Sequence, residues 1–167
     1  RIIQMGGEAH TIGVLVQSNF GGKLTVKGVQ ITDQPTPTHP PDSEGASIMI
    51  IVATDLPLPN RLLNRLAKRA VLGMARAGST GGHGSGDYVI SFSTTCRHPD
   101  AATAARVALA ENETLIDAPF QAVADATEEA ILNSLFQAET VEGIDGQIWE
   151  AVSIDDVLRL LQARGVI

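Results

Sequence analysis

Ser47 opens the apolar run SIMIIVAT and directly follows TDQPTPTHPPDSEGA, a segment whose four prolines rule out regular structure. A hydroxyl at that boundary is either a plain strand-start residue or the new end of a chain that cuts itself. If the Ala46–Ser47 bond is cleaved, Ser47 carries a free α-amine beside its own hydroxyl. Such an amine titrates near ~7.7–8, so a good fraction is neutral base at neutral pH and can take the hydroxyl proton directly. Cleavage requires a mobile, strainable peptide upstream, which PPDSEGA supplies. Placement at the head of a buried strand would hold the hydroxyl for attack. This chemistry accounts for the abrupt boundary better than architecture alone does.

Other reactive residues fit known chemistries less well. The glycine-rich GSTGGHGSGD at residues 78–87 follows a helical pattern and opens a strand, the reverse of a phosphate loop, and lacks Gly-Lys-Ser/Thr. A Ser-His-Asp triad could draw on His10, His39, His83 or His98, but no G-x-S-x-G elbow is present. No His, Asp or Glu pair has a spacing such as H-E-x-x-H, so a metal site is not expected, and the serine-centred chemistry implies no metal or organic cofactor. The single cysteine, Cys96, reads as a small apolar residue at a strand end.

The elements that must position these groups follow from periodicity. Residues 10–17 and 23–31 read as two antiparallel strands around the turn-rich SNFGG, with Leu24, Val26 and Val29 facing inward. Residues 33–45 form a long loop. Residues 47–54 are apolar at consecutive positions, so a central strand buried on both faces is expected. A helix over 60–77 carries Leu62, Leu66, Ala70 and Met74 every fourth residue, with Leu63, Ala67 and Val71 beside them and Gly78 as its stop. Its Arg61, Arg65, Lys68, Arg69 and Arg76 lie off that stripe, as a solvated face or a subunit contact. YVISFSTT is a further strand. A helix over 119–139 would bury Phe120, Val123, Ala124, Ile131, Leu135 and Ala138. Asp145-Gly146 signals a tight turn, and Ser153-x-x-Asp156 caps a last helix bearing Val157, Leu158, Leu160 and Leu161. This order predicts an α+β fold, a mostly antiparallel sheet with helices layered on it.

The totals agree with one domain or most of one: 167 residues, 44% hydrophobic and 19% charged. A net charge of −7 gives no electrostatic footprint for nucleic acid. The longest apolar run, residues 48–53, is far too short to span a membrane. One cysteine excludes an intrachain disulfide framework and favours a cytoplasmic location over a periplasmic one. The chain begins RIIQMGGEAHTIGVLVQ, without an initiator Met, and a preceding segment in the natural protein is expected.

ASIMIIVATDLPL, RLLNRLAKRAVLGMARAGS and GHGSGDYVISFST, with HTIGVLVQSNFG upstream and ATEEAILNSL and DGQIWEAV downstream, resemble the DmpA-type L-aminopeptidase/D-amidase/D-esterases, which include the β-peptidyl aminopeptidases. The resemblance covers nearly the whole chain. It implies a four-layer αββα sandwich akin to the N-terminal-nucleophile hydrolases, of which this chain would be the C-terminal part. It also implies self-cleavage before Ser47, which divides residues 1–46 from residues 47–167, and homo-oligomers of the cleaved protomers. Ser47 matches the nucleophile, Ser85 a second catalytic serine, Asp87 an acidic partner and Asn19 an oxyanion-stabilising amide. Taken alone, Asn19 would pass as a turn residue, and Ser85 and Asp87 as loop and strand-start residues. Ala46 departs from the Gly or Asn expected before the cut. The family's N-terminal half, with much of the substrate pocket, is not in this sequence. The implied activity is release of N-terminal residues from short peptides, amides or esters through an acyl-enzyme on Ser47. The alternatives are an acyl transferase like the ornithine acetyltransferases, whose nucleophile is a threonine, and a non-catalytic assembly or binding relative.

Overall fold

The computed structural model describes residues 1–31, 47–95 and 113–167, so the Pro-rich loop, His39, Ala46, Cys96 and His98 lie outside the described residues. Strands β1 (Ile2–Met5) and β2 (Glu8–Asn19) form a hairpin with Met5 opposite Glu8. Gly6 (φ 63°) and Gly7 (φ 84°) make its turn, both in the left-handed conformation that twists a two-residue connection to match the strands. The initial strand-like material is therefore a separate strand.

The expected second strand over 23–31 does not pair with β2. It folds on itself as β3 (Thr25–Val26) and β4 (Val29–Gln30), with Val26 opposite Val29. Lys27 (φ 49°) and Gly28 (φ 77°) form the same kind of turn, for which Val-Lys-Gly-Val was the unread signal. Its apolar residues do face inward: Val26 and Ile31 are buried, with Leu24 and Val29 packed beside them.

Strand β5 (Ser47–Thr54) has the expected bounds. Helix α1 (Asn60–Arg76) follows, and strand β6 (Gly86–Ser93) returns alongside β5. The four-stranded sheet runs β1-β2-β5-β6, antiparallel except for the parallel β5–β6 pair that the α1 crossover permits. Helix α2 (Glu113–Phe136) begins six residues before the expected 119, with Pro119 inside it, and ends before the exposed Ala138. A small hairpin, β7 (Val141–Glu142) and β8 (Ile148–Trp149), turns through Asp145 and Gly146. Helix α3 (Ile154–Ala163) is capped as read, the Asp156 amide donating to Ser153 Oγ at 3.3 Å.

Both α1 and α2 cover one face of the sheet, α1 over β5 and β6 and α2 over β1 and β2. Leu62, Leu66, Ala70 and Met74 are buried there against Ile48, Ile50, Val52, Val123 and Ile131. The helices cross closely at Gly73, where a Cβ would lie 2.7 Å from Thr127 Cβ and 2.8 Å from Glu128 N. A smaller cluster joins Val157 and Leu161 of α3 to Val26 and Ile31. Leu158 and Val71 are exposed rather than inward. On the basic face of α1, Arg69 and Arg65 stack on the Phe120 ring at 4.1 and 5.0 Å. Arg76 bonds Asp125 at 2.7 Å, which raises its pKa further.

β5 is buried on one face only. Ile48, Ile50 and Val52 point to the helices, while Met49 belongs to a face left open among the described residues. Leu15 of β2 and Tyr88, Ile90 and Phe92 of β6 share that face, 67%, 63%, 54% and 44% exposed respectively. Consecutive apolar residues along β5 thus mark two apolar faces, of which the described residues cover one.

Candidate active site

Register brings the expected residues to one end of the sheet. Ser47, first in β5, lies opposite Asn19, last in β2, and opposite Gly86, first in β6. The antiparallel pairing supplies the end of one strand and the parallel pairing the beginning of another. Three residues distant in sequence thereby form a single row. Ser47 is half-buried and Asn19 exposed.

The amide N–H of Gly86 donates to Ser47 Oγ at 3.2 Å. It fixes the hydroxyl from within the sheet and leaves the proton of that hydroxyl free to be given away. Ser85 Oγ donates to Asp87 Oδ1 at 2.7 Å, both residues being half-buried. Asp87 pairs with Ile48, so its carboxylate leaves β6 toward the helix face while Ser47 faces the open side. Its Oδ2 lies 3.6 Å from where a Cβ at Gly81 would stand, and the glycine-rich loop thus closes around the carboxylate without a side chain. Ser85 N donates to Gly82 O at 3.0 Å and pins the loop just before β6. Ser47 Oγ and the Ser85–Asp87 pair are joined through the intervening Gly86 amide. A hydroxyl whose proton is committed to a carboxylate, as in Ser85, has its lone pairs left as acceptors.

The two described histidines, His10 and His83, do not join this row. His10 Nδ1 lies 3.4 Å from Asp55 Oδ1, at the far end of β5 from Ser47. His83 is exposed in the loop. Among the described residues, no three His, Cys, Asp or Glu side chains gather as a metal site. Sequence reasoning did not find the Gly86 amide, because a backbone donor leaves no residue-type signal. The parallel pairing of β5 with β6 was the information needed.

A strand-end serine held by a backbone amide, with a neighbouring asparagine and a serine–carboxylate pair, stands at one end of an α+β sheet. The chain belongs to peptidase family S58, whose model matches residues 1–149. It is 35% identical to the beta-peptidyl aminopeptidase BapA of Sphingosinicella microcystinivorans over 167 residues, covering 87% of this chain and 41% of that protein. Among solved structures it is similar to the PH0078 protein of Pyrococcus horikoshii OT3, with a TM-score of 0.81 and 36% identity over 100% of this chain and 46% of that one. It is equally similar to the L-aminopeptidase D-Ala-esterase/amidase of Ochrobactrum anthropi, a prototype for the serine aminopeptidases with a variant of the Ntn hydrolase fold. There the TM-score is 0.80, with 34% identity over 99% of this chain and 47% of that one. The chain spans less than half the length of each of these relatives.

Proposed function

We propose that this chain is the C-terminal part of a self-processing serine aminopeptidase or amidase that releases N-terminal residues from short peptides, amides or esters. The observation that carries the reading is the row Asn19–Ser47–Gly86 with the Ser85–Asp87 pair beside it, in a member of peptidase family S58. The names of the similar aminopeptidases support the substrate class.

In this account Ser47 Oγ first attacks the Ala46 carbonyl. The Ala46–Ser47 C–N bond breaks, and water hydrolyses the resulting ester to leave an Ala46 carboxylate and a free Ser47 amine. In turnover that amine takes the hydroxyl proton as Oγ attacks the substrate carbonyl. The Asn19 side-chain amide stabilises the oxyanion. The tetrahedral adduct collapses, the leaving amine takes the proton back, and the acyl-enzyme passes its acyl group to water. Ser85, oriented by Asp87, accepts a hydrogen bond from the Ser47 hydroxyl or amine and favours the protonated form at the moment of attack. Residues 1–46 end one subunit and residues 47–167 form the other. The rest of the precursor lies on the open sheet face as the second sheet of the sandwich and supplies the remaining pocket, and cleaved protomers assemble as a homo-oligomer.

The test is hydrolysis of a small amino acid p-nitroanilide by the full-length protein and by its Ser47→Ala variant. Turnover that vanishes in the variant is the expected result. Equal activity in both, or none in a fully cleaved parent, would overturn the reading.

A further inference from the structure

Gly86 carries more than the amide that holds Ser47. A Cβ built there would lie 3.2 Å from Ser47 Oγ and 3.3 Å from Tyr88 Cε2, closer to both than ordinary packing allows. Gly86 does not have a positive φ, so space and not backbone conformation calls for glycine here. The missing side chain leaves a notch with the nucleophile on one side and the edge of the Tyr88 ring on the other. Tyr88 pairs with Met49, one row below Ser47 and Gly86 on the same open face, and Met49 itself is partly exposed. The notch is therefore narrow, next to the attacking oxygen, and edged by the Tyr88 ring, with the apolar Met49 in the same row as that ring.

We propose that Gly86 and Tyr88 form the wall of the acyl pocket that limits the side chain of the residue being released, admitting small uncharged aliphatic groups. The proposal rests on the aminopeptidase reading above and adds to it the residues that set selectivity. An acyl group bound for attack must place its carbonyl carbon against Oγ, so its adjoining carbon falls beside the notch. A group much thicker than a methyl meets the ring.

The experiment compares kcat/KM for leucine and alanine p-nitroanilides in the full-length protein. Tyr88→Val should raise the leucine-to-alanine ratio about tenfold, the usual effect of a methylene or two in an apolar pocket. Tyr88→Phe, which keeps the ring edge, should hold it within about twofold. Tyr88→Trp should lower the ratio, and carries the same test if Tyr88→Val does not fold. Phe92→Ala, two rows further along the same face, serves as the control. An unmoved ratio in the Tyr88 variants, or an equal shift in Phe92→Ala, overturns the proposal while leaving the aminopeptidase reading intact. Absence of turnover by the parent overturns both.

Discussion

In the proposed mechanism Asn19 acts on the oxyanion and Ser85 on the Ser47 hydroxyl or amine, so their removal should have separable effects. Asn19→Ala removes a donor to the oxyanion and should lower kcat by ~10²–10³ while substrate still binds. Steady-state kinetics of the full-length protein would check this, and a variant with unchanged kcat would remove Asn19 from the mechanism. Asp87→Asn keeps the size but weakens a charge-assisted bond that is 2.7 Å long. A slower rate should follow, with a smaller loss than in Ser85→Ala, because in the proposed mechanism Asp87 works only through Ser85. The roles proposed for these residues rest in the sequence on resemblance alone. Taken as isolated residues, an asparagine before glycines and a serine in a glycine-rich loop look like turn material. Ser47 was different, since the change from a Pro-rich segment to an apolar run raised its chemistry without any relative.

The row that holds the site depends on how the elements pair. Strands β2, β5 and β6 were all legible from β-branched runs, and α1 from its four-residue stripe. The parallel β5–β6 pairing was not, because a βαβ unit inside a mixed sheet leaves no periodicity of its own. The split of residues 23–31 into a hairpin escaped for a local reason, a lysine occupying a left-handed position that usually signals itself with Asn or Asp before Gly. Helix α2 began early because Pro119, read as a first-turn residue, lies inside the helix. Helices α1 and α2 meet closely at Gly73. Gly73→Ala would press on the Ala124 carbonyl and on Thr127, so it should destabilise the fold by about 1–3 kcal/mol. Urea unfolding of the full-length protein measures this, and an unchanged midpoint would show that the helices can separate freely.

At the scale of the whole molecule, the described residues form a sheet finished on one face. Its open side carries Leu15, Met49, Tyr88, Ile90 and Phe92 in adjacent rows, a patch that a stable solitary domain would not leave in water. Residues 1–167 expressed alone should therefore aggregate or bind a hydrophobic dye strongly. Co-expression with the upstream part of the precursor should abolish the dye signal, as fluorescence would report. The alternation of burial along β5 was the trace of this in the fold, and the consecutive apolar residues of SIMIIVAT were its trace in the sequence. The central claim is that the precursor cuts itself before Ser47 and thereby makes its own nucleophile. Intact-mass spectrometry of the purified full-length protein under denaturing conditions tests it most directly. Two masses are predicted, the smaller fragment beginning at Ser47 by N-terminal sequencing, with a single mass in Ser47→Ala. One uncut mass in the parent, persisting after long incubation at neutral pH, would contradict the account.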